Sequence, residues 1–442
     1  MKTTHGWTAA RLSTSLGLVV LGLMLCAHCA QATQLYKPVP EAVFEGQKAA
    51  PWAFIERHVD HHPRFPLEQF HPKLKLFFPQ VAEAFGTTEP HSRRFLLHAM
   101  TGWDRATRQT PVLLIPGAND DATRRYARPL GLKNPDWAKT PGLAQHLAKQ
   151  GFAVFGISFS HYHGCNLHQG EQLANAITRI RKLLGRDADP AFQVDLVTFS
   201  KGAMAARCYV ESAGKAAGLR YLTPFRGDVR RIVFEVPPLA GLDMMFRYYL
   251  YNVAGKTGKW PAPLGVTSQM LYGQWVDSGL DDINSGCWPG QLQMVSDLRQ
   301  IGVAYAPLSW TVDGNMSMNV IRDGGSSFFV KSFGLEAARH AGGDLIEHLN
   351  ETGLPRTVSA SIVAGTNPVL YDEEFFLWKR PVAAELSDDS DGLVFLKSAT
   401  YTKGLTAGGA KVSGVKTFPL NHIDISRSSD VFEHVAGQLE QE

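Results

Sequence analysis

Apolar residues along this chain follow two alternating rhythms. Short unbroken apolar runs in TPVLLIPG (110–117), GFAVFGISFS (151–160), VDLVTFS (194–200) and RRIVFEV (230–236) predict strands buried on both faces. RRFLLHAMTGW (93–103) reads as one more strand ahead of them. Between the runs, apolar residues recur at helical spacing. NPDWAKTPGLAQHLAKQ predicts a helix after Pro141, and GEQLANAITRIRKLLG one that stops at Gly185. A third helix follows from Lys201. Strands alternating with helices of this length predict an α/β fold with a doubly wound, mostly parallel sheet.

That rhythm fails in two places. Residues 33–92 are rich in Pro, His and Phe with poor periodicity, and read as an N-terminal extension wrapping the core. Residues 237–355 hold MMFRYYLYNVAG, MLYGQWVDSGL and FFVKSFGLEAARHAGGDLIEHLNETG, helical and aromatic-rich stretches that predict a large helical cap or lid insertion. The core is therefore expected over 93–236 and 356–442. It resumes with TVSASIVAG and ends with DGLVFLKSA, VKTFPLNH and a last helix, SSDVFEHVAGQLEQ.

The first 32 residues stand apart. Lys2 and Arg11 precede an apolar run from Leu16 to Leu25, followed by the small residues Ala30-Gln31-Ala32. This is the pattern of a secretory signal peptide cleaved before Thr33. The apolar run is shorter than the ~20 residues of a spanning helix, which argues against a membrane anchor. The expected location is secreted or periplasmic. Loss of Lys2 and Arg11 takes the formal net charge from +3 to about +1. With no basic tract, a nucleic-acid partner is not expected. Three of the five cysteines, Cys165, Cys208 and Cys287, then remain. Cys208 falls in a helix, whereas Cys165 and Cys287 sit in Gly-containing loops, so a Cys165–Cys287 disulfide is the expectation for an oxidising compartment.

Candidate chemistry starts at DLVTFSKGAMAARCY (195–209), where a buried strand turns sharply into a helix at Ser200. Such a turn exposes a serine oxygen at the strand end and aims the next N–H at a developing oxyanion. Gly202 meets the demand for a small residue after the serine. Thr198 stands where glycine is usual. PVLLIPGAND places Gly117 at a strand end, with the Ala118 N–H as the second donor. Asp391 in SDDSDGLVFLKSA and His422 in FPLNHIDIS follow in the order serine, acid, histidine, each where a strand ends. The bland alternatives are a serine helix cap, an Asp-Gly turn and a surface histidine among sixteen.

VLLIPG, NLHQGEQLANAI, DLVTFSKGAMAARCYV, and DGLV followed by LNHID together resemble segments of the secreted bacterial triacylglycerol lipases of the α/β-hydrolase superfamily. They cover about a third of the chain. The resemblance implies Ser200 as nucleophile, Asp391 as acid and His422 as base, with the N–H groups of Ala118 and Lys201 as the oxyanion hole. It also implies that Asp424, two residues after the histidine, ligates a structural calcium, with Asp372 as a loose second ligand. A carboxylate bonded to nearby backbone is the alternative for Asp424. The chain departs from the pattern at Thr198, at Lys201 where Gln or Met is usual, and at Pro116 where a histidine precedes the glycine.

The implied activity is hydrolysis of carboxylic esters through an acyl-enzyme, with no cofactor required. Phe199 and, in the insertion, Met244, Phe246 and Tyr248 are the candidates for contact with a lipid or other ester substrate, and transient contact with a lipid interface is expected. The sequence does not indicate whether a folding chaperone is needed. Two other readings stay open: an extracellular depolymerase of polyhydroxyalkanoate or cutin-like polyesters, and a non-catalytic relative that binds lipid or a partner.

Overall fold

The computed structural model describes residues 36–70, 79–127, 141–243, 246–247, 276–277, 287–304, 316–327, 331–375, 378–382 and 387–441. The expected signal peptide lies outside these residues. Seven strands are laid down before the insertion: β1 (Ala42–Glu45), β2 (Trp52–Val59), β3 (Arg94–Met100), β4 (Val112–Ile115), β5 (Val154–Phe159), β6 (Val194–Phe199) and β7 (Val229–Glu235). Of the strands that follow it, β8 (Ser359–Gly365) and β9 (Lys411–Phe418) join them, while Tyr371–Phe375 and Trp378–Val382 pair apart as a hairpin. Strands β1 to β9 form one nine-stranded sheet in the order β1-β2-β3-β5-β4-β6-β7-β8-β9. The six strands from β5 to β9 in that order run parallel. The pairs β1/β2, β2/β3 and β3/β5 are antiparallel.

The apolar runs become strands for the reason the pattern suggested. Every residue of β4, β5 and β6 is buried, because helices cover both faces of the sheet. On one face Leu196, Ile232, Phe234 and Ile362 pack with helices α2 (Asn166–Leu183) and α3 (Gly202–Val210), reached after α1 (Leu143–Lys149). On the other face Leu114, Val197, Val233 and Val363 pack with α1 and the C-terminal helix α4 (Ser429–Glu440). This is the α/β-hydrolase architecture. From β4 the chain steps to one side for β5 and to the other for β6. That reversal opens a crevice at the C-terminal strand ends, where such sheets place their sites.

Two findings differ from the sequence reading. The sheet reaches into the segment expected to be a wrapping extension, since β1 and β2 come from it. DGLVFLKSA is not a strand: Ser390 bridges Phe395 and a short helix, Leu396–Ala399, follows. In the insertion, the described residues form short helices (Pro289–Leu292, Met316–Asp323, Gly334–Ala341, Leu345–Thr352) and a three-stranded sheet of Val276–Asp277, Gly325–Ser326 and Lys331–Ser332.

Candidate active site

Ser200 ends β6 and starts the turn into α3. Its φ of 49° lies in the left-handed region, a strained conformation for a residue with a side chain. Two backbone bonds hold it there. The Ser200 N–H donates to the Glu235 carbonyl at 2.9 Å, and the Ser200 carbonyl accepts from Ala203 N–H at 3.0 Å. The turn fits only because its neighbours are small. A Cβ on Gly202 would lie 2.5 Å from the Pro116 carbonyl oxygen, and one on Gly117 3.0 Å from both the Phe199 carbonyl oxygen and the Ser200 Cβ. Thr198, where glycine is usual, is fully buried.

Asp391 and His422 meet. The His422 Nδ1 and Asp391 Oδ2 lie 2.8 Å apart, and the His422 backbone N–H donates to the Asp391 carbonyl, also at 2.8 Å. The second carboxylate oxygen accepts the Leu393 and Val394 N–H groups at 3.0 and 2.8 Å. That local capture turns the chain after Asp391, which is why no strand forms there. Both side chains are buried, so the pair is shielded from water. With Nδ1 donating to the carboxylate, Nε2 is left as the basic nitrogen. The His422 ring packs edge-on against Phe199, the residue before the serine, with centroids 5.1 Å apart. Among the described residues no hydrogen bond joins Ser200 Oγ to His422.

The two expected oxyanion donors flank the serine. Gly117 brings the β4 turn against Ser200, with Ala118 next in the chain. Neither the Ala118 nor the Lys201 N–H has an acceptor among the described residues. The Lys201 side chain does not point to solvent. It is 1% exposed and runs back under the turn, where Nζ donates to Gln169 Oε1 of α2 at 2.5 Å. Burial pulls its pKa down to about 8, with Glu68 opposing the shift.

Several expectations are corrected. Cys165, Cys208 and Cys287 are all free thiols. The Cys165 sulfur accepts from Gln293 Nε2 at 3.2 Å and its N–H donates to Glu68 Oε1 at 2.7 Å, so it is held by other partners than Cys287. Asp424 does not fit a calcium site. One carboxylate oxygen accepts from Arg427 at 2.9 Å and the other from Asn421 at 2.8 Å, so a guanidinium stands where a metal would. The Asp372 side chain lies outside the described residues, and among the described residues no group of three acidic, His or Cys side chains could hold a metal. Phe199 is buried between His422 and the Arg125 guanidinium, which lies 3.7 Å above its ring, so it packs rather than faces a ligand. Phe246 is fully buried. Met244 and Tyr248 lie outside the described residues.

Sequence reasoning missed four residues around the serine. Arg125 sits on Phe199 and donates to Ser426 Oγ at 2.6 Å, tying the turn after β4 to the histidine loop. Asn421 organises that loop, accepting the N–H groups of Ile423 and Asp424 and donating to the Val369 carbonyl. Glu235, at the end of β7, is 1% exposed, and among the described residues neither carboxylate oxygen has a hydrogen-bond partner. Burial pushes its pKa up to about 8, with Arg125 opposing. Glu68, from the extension, faces Lys201. Only Glu235 carried a signal, as an acid ending an apolar run.

No family model matches the chain, and no curated protein matches it. Solved structures overlap it weakly. The mature lipase of Bacillus licheniformis is 14% identical, with a TM-score of 0.37, over 75% of this chain and 91% of that one. Lipase 1 of Pelosinus fermentans is 12% identical, with a TM-score of 0.39, over 76% and 100%. EstA of Clostridium botulinum is 11% identical, with a TM-score of 0.40, over 76% and 88%. The strand order and the helices on both faces of the sheet give the α/β-hydrolase fold independently of these overlaps.

Proposed function

We propose that the chain is a serine hydrolase of carboxylic esters, acting through Ser200, His422 and Asp391. One observation carries the reading: a buried aspartate–histidine pair packs against the residue that precedes a strained serine at a strand end. In the proposed reaction, Ser200 Oγ attacks the ester carbonyl carbon while its proton passes to His422 Nε2. The Ala118 and Lys201 N–H groups hold the oxyanion. Collapse breaks the ester C–O bond, and the His422 proton goes to the leaving alcohol. Water then attacks the acyl-enzyme, giving its proton to His422. The second collapse releases the acid and returns the proton to Ser200. Asp391 keeps the proton on Nδ1 and faces the imidazolium as it forms.

The aromatic stretches of the insertion support an apolar acyl site and hence a lipase-like substrate, with contact at a lipid interface. The leader-like N-terminus supports export to the periplasm or beyond. The thiols lend export no support, since none is paired.

The test is hydrolysis of p-nitrophenyl esters from acetate to palmitate by the chain from Thr33, beside Ser200→Ala. Turnover that disappears in the variant supports the reading, and the preferred chain length separates lipase from short-chain esterase. Equal, null rates for both proteins would move a lipid- or partner-binding role to the front.

A further inference from the structure

A polar chamber lies behind the serine turn, on the face covered by α2 and α3. The Lys201 ammonium is inside it, bonded to Gln169 Oε1, while Gln169 Nε2 donates to the His161 carbonyl at 2.7 Å. A short strap from the N-terminal extension closes one side. Glu68 on this strap accepts the Cys165 N–H, His161 Nε2 donates to the Gln69 carbonyl at 2.9 Å, and Phe70 packs on the His161 ring at 4.2 Å. Gly290 closes another side so tightly that a Cβ there would lie 2.3 Å from Lys201 Cε. The lysine is thus clamped along its length. Nothing in the sequence pattern of a serine turn requires a lysine here, and an apolar residue would fill the space without burying a charge.

We infer that Lys201 is a positioning residue of the oxyanion hole. Its anchored side chain fixes the main-chain N–H that faces the oxyanion, its buried ammonium adds positive potential behind that N–H, and Glu68 of the N-terminal strap sustains the charge. The inference rests on the ester-hydrolase reading of Ser200. Among the described residues, the titratable groups facing the ammonium are these. The strap brings Glu68, the loop after β5 brings His161 and His163, α2 begins beside Cys165, and α3 brings Cys208. The helix Pro289–Leu292 brings none. Burial holds His161 near pKa 4 and pulls His163 well below the usual histidine value, so both are neutral in use. Burial also raises Cys165 and Cys208, which stay thiols. Lys201 is the group that loses its charge near pH 8. Below that pH the ammonium favours the anionic transition state, and above it the help is gone.

The test is the pH profile of p-nitrophenyl butyrate hydrolysis from pH 6 to 10 by the full chain, Lys201→Met and Glu68→Gln, with a separate aliquot of each titrated by a fluorophosphonate to count reactive Ser200. The wild type should lose kcat on the alkaline side around pH 8. Lys201→Met, made together with Glu235→Gln because Glu235 also changes charge near pH 8, should lose this limb and run at the wild type's high-pH level throughout, roughly 3- to 30-fold below its neutral-pH rate, with KM within about twofold. Glu68→Gln keeps an acceptor for the Cys165 N–H but removes the charge, so the limb should move to lower pH while the plateau below it stays. It carries the test alone should the double variant not fold. An alkaline limb that stays in place in Glu68→Gln, or persists in a folded double variant whose Ser200 reacts, overturns the inference. A wild-type chain whose Ser200 does not react with the fluorophosphonate overturns the hydrolase reading itself.

Discussion

The two faces of the sheet beneath Ser200 each bury an ionisable side chain, a base on one and an acid on the other, and treat them in opposite ways. On the α2–α3 face, the Lys201 ammonium has an amide acceptor from Gln169 and a carboxylate, Glu68, in electrostatic reach. On the α1–α4 face, Glu235 has no hydrogen-bond partner among the described residues, and Arg125 is the cation that opposes its shift. Arg125 is itself committed to Asp120, Ser426 and the Phe199 ring. Equal burial therefore leaves one group charged and the other neutral. The lysine keeps its proton, and its charge, up to about pH 8, whereas the glutamate stays a neutral acid up to a similar pH. At neutral pH the ammonium behind the turn is charged and the Glu235 carboxyl on the other face is not, an arrangement that favours an oxyanion over an uncharged carbonyl.

The comparison breaks first if Arg125 is removed. Arg125→Met leaves Phe199 without its cation and cuts the link to the histidine loop. A drop in kcat of roughly 10- to 100-fold is expected, since small misplacements of reacting groups are costly. Steady-state rates on a soluble ester would show it. An unchanged kcat would mean that Phe199 holds His422 unaided.

Stability should separate the two sides next. Glu235 has a folded pKa raised from 4.5 to about 8. The stability tied to its neutral form is complete below the unfolded value and is lost as pH rises toward 8. Glu235→Gln should then be more stable than wild type at pH 9, by roughly 2–4 kcal/mol, and near parity at pH 4.5. Urea melts at both pH values measure this. Lys201 should show the opposite slope, somewhat smaller. Its pKa is lowered from 10.5 to about 8, so burial costs stability below pH 8 and the cost fades as pH climbs to 10.5. Lys201→Met should gain about 1–3 kcal/mol at pH 7 and little at pH 10.5, the lost Gln169 bond setting the lower bound. A gain that does not change with pH would mean that Lys201 is already neutral. The smallest effect concerns the thiols beside the lysine. With Cys165, Cys208 and Cys287 free, a reductant should leave Tm within about a degree, whereas loss of a native disulfide would cost several.

The central strands were legible because burial on both faces leaves an apolar signature. β2 was not, because its core contains charge. Glu56 and His58 are buried there and bond to one another, with Arg179 of α2 completing the group. Polar residues satisfied across elements break periodicity, and a single strand cannot show the partner that satisfies them. Ser200, Asp391 and His422 could be nominated from order and strand ends. Asp391 was located although its surroundings were misread, since a carboxylate that captures two N–H groups makes a turn that looks like a strand in an apolar run. The direction of Lys201 was not legible. A lysine after a serine reads as solvent-facing until Gln169 and Gly290 are brought to it from 32 residues before and far downstream. The calcium and disulfide expectations failed for a shared reason: each judged a residue by its spacing, while Arg427, Asn421, Gln293 and Glu68 had already claimed its atoms.

The strap has a last consequence, for how the site comes into being. One wall of the lysine chamber is tied to the turn after β5 across 97 residues, and the histidine loop is tied to the turn after β4 across 301. Contacts so far apart in the chain are entropically late and slow to form. The nucleophile turn, by contrast, is local. A nascent or refolding molecule would therefore own a strained serine before it owned a base or a settled oxyanion hole. Competence would arrive as a property of the completed topology, and a chain trimmed to start at residue 93 would lack β1, β2 and the strap together.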